Sequence, residues 1–224
     1  HSDNLISDAI KKGRAKPEDK DRLLSLITPT ADYTDLQGCE LVIEAVFEDS
    51  EVKKATTEKT EAVLKSSAVF ASNTSTIPIT SLARNSARPK NFIGIHFFSP
   101  VDRMMLVEII LGKKTGDKAL AVAIDYVRAI RKTPIVVNDT RGFYVNRCVL
   151  RYMSEAYKML IEGVPAPMIE NAAKAVGMPV GPLALTDETA VDLAQKIMHQ
   201  TVRDLGEKAV DPEQMKLIDT MVDE

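Results

Sequence analysis

The stretch that decides the fold reads FIGIHFFSPVDRMMLVEII and covers residues 92–110. Two runs of apolar residues lie within it, at residues 92–98 and 104–110, and each run is typical of a buried strand. The connection between them is only a few residues long, which is too short for a crossover. The two strands are therefore predicted to form an antiparallel hairpin.

A histidine near the end of the first strand and a glutamate inside the second are the polar residues of interest in this hairpin. If the chain turns about Asp102, His96 and Glu108 lie six residues to either side of it and face each other, with Cβ atoms roughly 4.5 to 5.5 Å apart. A carboxylate within so apolar a strand is costly unless it is paired. The alternatives are a histidine satisfied in the core and a carboxylate at an exposed edge, but apolar neighbours on both sides of Glu108 favour a general-base pair.

The same alternation of strands and helices extends outward from the hairpin. Residues 5–27 predict two helical pieces broken at Gly13 and Pro17. Such alternation indicates an α/β fold with a largely parallel sheet, in which His96 lies at the carboxyl edge where ligands bind. Further strands are predicted at residues 40–46, 69–72 and 134–137, and further helices at 50–65, 79–84 and 118–131.

The last third of the chain shows helical periodicity only. Helices are predicted at residues 143–162, 166–176 and 182–205, and a glycine follows each of them. We therefore expect two domains, an α/β domain at residues 1–140 and an all-helical domain at residues 141–224. The first of these helices has a larger apolar surface than two short neighbouring helices can readily cover, which predicts a homodimer.

Composition excludes several classes of protein. With 45% hydrophobic and 27% charged residues, the chain has the composition of an ordinary globular protein, and no apolar run approaches the roughly 18 residues that span a membrane. The formal net charge of -3 argues against nucleic acid as a partner. The two cysteines, Cys39 and Cys148, form no CxxC pattern, which argues against a metal site and favours a reducing, cytoplasmic setting.

Three further polar segments could carry chemistry. Residues 72–76, Ser-Asn-Thr-Ser-Thr, follow a strand at the carboxyl edge and could bond a substrate oxygen, although turn and cap residues have the same composition. Asn146 lies one turn inside a helix, where asparagine is a mediocre helix former, so an inward polar role is plausible. The basic run at residues 11–16 could meet phosphates, but a solvated helix face is the favoured interpretation.

Four motifs occur in one order with one set of spacings. They are LVIEAVFED at residues 41–49, ASNTS at 71–75, HFFSP at 96–100 with Val107-Glu108, and DTRGFYVNR at 139–147. Together they resemble the L-3-hydroxyacyl-CoA dehydrogenase family of fatty-acid β-oxidation. The last motif is closest to the multifunctional members, in which this unit is fused behind an enoyl-CoA hydratase domain.

The resemblance implies a fold, a reaction and a set of site residues. It implies a Rossmann-like NAD-binding domain followed by a helical domain, and oxidation of an L-3-hydroxyacyl-CoA to a 3-ketoacyl-CoA with hydride transfer to NAD. His96 matches the base, Glu108 the acid that orients it, and Ser75 and Asn146 the residues that hold the reacting oxygen. The residues matching the cofactor contacts are Ala45, Glu48, Lys53 and Ser99.

Two departures from the family pattern qualify this expectation. Ser99 stands where the family often has asparagine, and no GxGxxG occurs to seat the pyrophosphate. We therefore expect a piece of the dehydrogenase part of a larger polypeptide, truncated at both ends. As an isolated chain it is expected to bind NAD weakly and to have little activity.

Two other functions are compatible with the sequence. One is a different 3-hydroxyacid dehydrogenase acting on a free acid or a sugar acid, which would need a basic cluster to bind the carboxylate. The other is a fragment without catalysis that serves only for folding and dimerisation. A substrate panel would separate the first from an acyl-CoA enzyme, and a cofactor titration would identify the second.

Overall fold

The computed structural model describes residues 1–223, without the side chains of residues 204 and 205. The chain folds as two compact units. The first consists of His1–Thr74 and Ile79–Ile135, and the second of Ser75–Pro78 and the chain from Val136 onward. The first unit is α/β and the second is helical, as the periodicity predicted.

A five-stranded sheet organises the first unit, and its last strand extends past Ile135. Its strands run β1-β2-β3-β4-β5 in space as they do along the chain. Strands β1, β2 and β3 pair in parallel and β3 pairs with β4 antiparallel, so the predicted hairpin is confirmed. The strands are β1 (Leu41–Glu44), β2 (Val69–Ser72), β3 (Phe92–Phe97), β4 (Leu106–Leu111) and β5 (Thr133–Asn138).

Helices accompany the sheet along the chain of the first unit. The two opening helices are separated at Gly13 and Pro17 as expected, and Asp49 caps α3 by accepting hydrogen bonds from the amides of Glu51 and Val52. Short 3-10 turns fill several connections. The helices are α1 (Ser2–Lys11), α2 (Pro17–Leu24), α3 (Ser50–Val63), α4 (Ile79–Leu82) and α5 (Asp117–Ala129), and a 3-10 helix covers Tyr33–Gly38.

The two faces of the sheet have different surroundings. Because side chains alternate along a strand, Ile93 and Ile95 share one face, where they pack in a buried cluster with Ala119 and Ala123 of α5. Gly94 and His96 lie on the opposite face. There Gly94 lies against Ile79 of α4. The candidate base therefore projects from the sheet on the side away from α5.

The second unit is a cluster of helices around the longest helix of the chain. Met153 and Tyr157 of that helix are buried with Ile218, and the Tyr157 hydroxyl shares a 2.7 Å hydrogen bond with Thr186. Burial raises the pKa of the Tyr157 phenol. The helices are α6 (Val145–Ile161), α7 (Ala166–Ala175), α8 (Pro182–Glu188), α9 (Val191–Leu205) and α10 (Pro212–Asp223).

Two features of this unit differ from the sequence prediction. The helix predicted at residues 182–205 is two helices, because Ala190 has a positive φ of 71° and ends the continuous helical path. Apolar periodicity continues on both sides of this break, so the pattern alone does not show it. The helix α10 was not predicted, although Asp211 caps it by accepting a hydrogen bond from the Glu213 amide.

None of the helices among the described residues is long and apolar enough to cross a membrane.

The close packing at Gly94 leads to a stability prediction. A Cβ at residue 94 would lie 2.7 Å from Cγ1 of Ile79 and 2.9 Å from Cβ of Ile110, so Gly94→Ala should lower the free energy of unfolding by about 1 to 3 kcal/mol. Gly38→Ala is the control, because a Cβ there meets no atom within 4 Å. Urea denaturation would measure both variants. An unchanged midpoint for Gly94→Ala would contradict this account of the packing.

Candidate active site

His96 and Glu108 form a buried hydrogen-bonded pair on neighbouring strands. They are register partners in the β3–β4 hairpin, and His96 Nδ1 lies 2.8 Å from Glu108 Oε2. Only 4% of His96 and none of Glu108 is exposed. The geometry predicted from the turn about Asp102 is confirmed.

The contact with Glu108 determines which ring nitrogen of His96 is basic. A carboxylate accepts hydrogen bonds, so Nδ1 carries the hydrogen and Nε2 is the basic nitrogen of the neutral ring. The Phe98 ring packs beside the imidazole, with ring centroids 4.6 Å apart. The side chain of His96 is therefore held from two directions, and a proton can be accepted at a defined atom.

Neighbouring contacts hold the end of β3 in place. The backbone amide of Phe97, one residue after His96, donates to Asn73 Oδ1 at 2.9 Å, while the Asn73 amide donates to the carbonyl of Glu44 at 2.9 Å. Residue 73 thus links the carboxyl ends of β1, β2 and β3. On the hairpin turn, the Lys132 ammonium donates to the carbonyls of Val101 and Met104.

A second buried carboxylate, Glu44, lies at the end of β1. Its side chain accepts from the Lys53 ammonium at 3.0 and 3.2 Å, from the Val46 amide at 3.1 Å and from the hydroxyl of Ser72, its register partner on β2. The side chains of Glu44 and Lys53 are each 2% exposed. Glu44 was not among the predicted site residues. An acidic last residue in an apolar strand, followed nine positions later by a lysine, was the available signal.

Of the residues matched to the cofactor contacts, Glu48 and Lys53 lie together. Glu48 Oε1 accepts from the Thr74 hydroxyl at 2.6 Å, and its Oε2 is 3.4 Å from the Lys53 ammonium. The Glu48 side chain remains 37% exposed, so it can accept hydrogen bonds from a ligand hydroxyl. Ala45 is exposed just after β1, and Ser99 is exposed in the loop that follows β3.

Ser75 and Asn146 are adjacent within the second unit. The side-chain amide of Asn146 donates to the backbone carbonyl of Ser75 at 3.1 Å, and Ser75 is exposed. A turn with positive φ at Gly142 and Phe143 leads into α6 and places Asn146 in its first turn. The two residues that the sequence assigned to one oxygen are thus neighbours.

Comparison with known proteins covers both units. Residues 1–140 match the family model described as 3-hydroxyacyl-CoA dehydrogenase, NAD binding domain, and residues 142–224 match the model of the C-terminal domain of the same family. The chain is 40% identical over 204 residues to the fatty acid oxidation complex subunit alpha of Shewanella amazonensis. That match covers 91% of this chain and 29% of the relative, so the chain spans less than a third of the relative's length.

Solved structures show the same architecture. The (S)-3-hydroxybutyryl-CoA dehydrogenase of Ralstonia eutropha superposes with a TM-score of 0.88 at 33% identity, covering 98% of this chain and 78% of the other. The 3-hydroxybutyryl-CoA dehydrogenase of Escherichia coli gives 0.87 at 30% identity, covering 98% and 48%. The predicted fold, a Rossmann-like domain followed by a helical domain, is confirmed.

The buried ion pair of Glu44 and Lys53 generates a stability prediction. Lys53→Met leaves the Glu44 carboxylate buried without a countercharge, so the free energy of unfolding should fall by roughly 3 to 5 kcal/mol. Lys59→Met on the exposed side of the same helix is the matched control and should change it by less than about 0.5 kcal/mol. Chemical denaturation provides the measurement, and equal midpoints for the two variants would show that the pair is not structurally required.

Proposed function

The chain belongs to the 3-hydroxyacyl-CoA dehydrogenase family, and from this premise we propose that it oxidises the hydroxyl of an L-3-hydroxyacyl-CoA to a ketone, with NAD as the hydride acceptor. The observation that carries the proposal is the 2.8 Å contact between His96 and Glu108. Removing hydride from a carbinol carbon requires a base for the hydroxyl proton. A buried imidazole oriented by a carboxylate supplies that base.

In the proposed reaction, Nε2 of His96 accepts the proton of the C3 hydroxyl. The C3–H bond breaks with its electron pair, and the electrons of the O–H bond form the second bond of the carbonyl. The imidazolium that results is stabilised by the Glu108 carboxylate at Nδ1. In the reverse direction, the same imidazolium returns its proton to the oxygen of a 3-ketoacyl group.

The residues at the carboxyl ends of β1 and β2 fit an NAD cofactor. NAD, when bound, supplies the carbon that receives hydride. Glu48 offers a carboxylate that is partly exposed and already oriented by Thr74 and Lys53, and such a carboxylate suits the hydroxyls of a ribose. Together with the match to the family's NAD-binding domain, this supports Glu48 as a cofactor-site residue, with Lys53 holding it. Ala45 and Ser99, which are exposed after β1 and β3, are proposed as further cofactor contacts on the family motif.

We propose that Ser75 and Asn146 bind the reacting oxygen. The resemblance of their motifs to those of the family supports this role, and so does the hydrogen bond from Asn146 to the Ser75 carbonyl, which joins the two residues. A hydroxyl and an amide are suitable donors to an oxygen that gains negative charge during reduction.

The fusion to an enoyl-CoA hydratase domain stays a proposal, supported by relatives of more than three times this length that are named as subunits of a fatty acid oxidation complex.

A first prediction tests the base pair. In the full-length polypeptide, Glu108→Gln should lower kcat at least about a hundredfold while NAD affinity stays near normal, because the carboxylate stabilises charge that forms only during the reaction. Glu61→Gln is the control, because the Glu61 carboxylate accepts hydrogen bonds from Ser86 and Ala87, which are not part of the proposed site. Steady-state kinetics with acetoacetyl-CoA and NADH gives the rates. A wild-type rate for Glu108→Gln would exclude the pairing mechanism.

A second prediction tests the oxygen ligands. Ser75→Ala and Asn146→Ala should each reduce kcat/KM by an amount equivalent to about 1 to 3 kcal/mol, the cost of an unmade hydrogen bond to a charged oxygen. Asn91→Ala removes a comparable bond, from a side-chain amide to the carbonyl of Ser66, and should leave kcat/KM unchanged. If both site variants behave like Asn91→Ala, the assignment fails.

We also propose that the second unit forms a homodimer. Two residues of α6 do not support it, because Met153 is buried in the unit's own core and the Tyr152 hydroxyl donates to the Val180 carbonyl. Other apolar side chains are exposed on the helical unit, including Met168 at 61% and Val176 at 82%. An interface with a second copy of the chain would cover these side chains.

Sedimentation tests the dimer. The purified chain should sediment as a dimer at micromolar concentration, and Val176→Glu should shift it toward the monomer because a charge would be buried in the interface. Leu26→Glu changes a similarly exposed residue of the first unit and serves as the control. A wild-type monomer under these conditions would contradict the proposal.

A further inference from the structure

We propose that Glu44 is a positioning residue for the cofactor, in that its buried carboxylate fixes the loop at residues 45–49, which carries Glu48. The inference rests on the proposed NAD-dependent function. Glu44 does not need to touch the cofactor for this role. It acts through the Val46 backbone and the Lys53 ammonium.

The contacts of Glu44 converge from three segments. The Val46 amide comes from the loop itself, the Lys53 ammonium from α3, and the Ser72 hydroxyl from the end of β2. The side chain is 2% exposed, so water does not compete for these bonds. One carboxylate therefore ties the loop to the strand before it, the helix after it and the neighbouring strand.

The loop has few other means of holding its shape. Phe47 at its centre is 86% exposed, and Ala45, Val46 and Asp49 are exposed as well, so apolar burial does not order it. Its backbone bends sharply, since the Asp49 amide donates to the carbonyl of Phe47 at 2.8 Å. Hydrogen bonds and charges at the two ends of the loop are therefore the main determinants of its conformation.

The link from Glu44 to Glu48 runs through Lys53. The ammonium of Lys53 lies 3.0 Å from Glu44 and 3.4 Å from Glu48, so two carboxylates share one buried cation. If the charge on Glu44 is removed, Glu48 is the charged carboxylate that remains in this cluster of three residues. The Lys53 ammonium should then draw Glu48 inward. Glu48 would then leave its position beside Thr74, and its exposed oxygens would no longer be presented to a ligand.

The test uses Glu44→Gln in the full-length polypeptide. Glutamine retains an acceptor oxygen and similar volume but removes the charge. We expect the Kd and KM for NADH to rise on the order of tenfold or more, with kcat within about threefold of wild type and the KM for acetoacetyl-CoA unchanged. Hydrogen exchange at the Val46 amide should accelerate. Glu61→Gln changes a carboxylate on α3 that accepts hydrogen bonds from Ser86 and Ala87, and it should change none of these.

A second variant covers the case in which Glu44→Gln does not fold because Lys53 is left poorly compensated. Glu44→Gln combined with Lys53→Met removes both charges, so no isolated charge is buried. The loop still loses its ties, so hydrogen exchange at the Val46 amide should accelerate as it does in Glu44→Gln. NADH binding should weaken as well, in part because Lys53 belongs to the proposed cofactor site. If either variant folds and binds NADH as tightly as wild type, the proposal is overturned. A loss confined to kcat and thermal stability would likewise overturn it, because that pattern indicates a structural role alone.

The wild-type protein separates this inference from the proposed function. If it binds NADH but does not reduce acetoacetyl-CoA, the proposed function fails while the effect of Glu44→Gln on NADH binding still decides the positioning role. If it reduces acetoacetyl-CoA and Glu44→Gln leaves NADH affinity unchanged, only the positioning role fails. Absence of NADH binding in the wild-type protein would overturn both.

Discussion

The register of the β3–β4 hairpin is the constraint on which the rest of the proposed chemistry depends. It sets His96 opposite Glu108, and a slip of one residue would turn the carboxylate to the other face of the sheet. That face is filled by Ile93, Ile95 and the α5 side chains, where an unpaired charge would be costly. The apolar core and the polar pair therefore require the same register. Gly94 allows it, since only a residue without Cβ fits against α4.

Much of this arrangement follows from the sequence. The two apolar runs are short and closely spaced, so the connection permits only a hairpin, and a hairpin turn about Asp102 determines which residues face each other. The parallel strands were also predictable, because alternating periodicities of two and 3.6 residues indicate a sheet covered by helices. In each of these cases the local sequence pattern and the tertiary structure agree. Glu108 can be identified as a candidate because it is a charged residue in an otherwise apolar strand.

The parts that could not be predicted depend on contacts between distant residues or on single backbone angles. Lys53, the charged partner of Glu44, lies nine residues away on a mostly polar helix. On such a helix the sequence does not distinguish a buried lysine from an exposed one. Its third partner, Ser72, is set by strand register. The break between α8 and α9 depends on the positive φ of Ala190, a conformation that alanine rarely adopts and that carries no glycine or proline signal.

The buried carboxylates of Glu44 and Glu108 have different partners, and the difference fits their proposed roles. Glu108 meets an imidazole, whose second ring nitrogen is an acceptor atom for the proton of a reacting hydroxyl. Glu44 meets an ammonium, which donates hydrogen bonds and has no acceptor atom. A buried ion pair of this kind seldom adds net stability over an apolar pair of equal volume. Its directional bonds to the Val46 amide, Ser72 and Lys53 instead impose one geometry on a loop whose side chains are largely exposed, which is the property that cofactor binding requires.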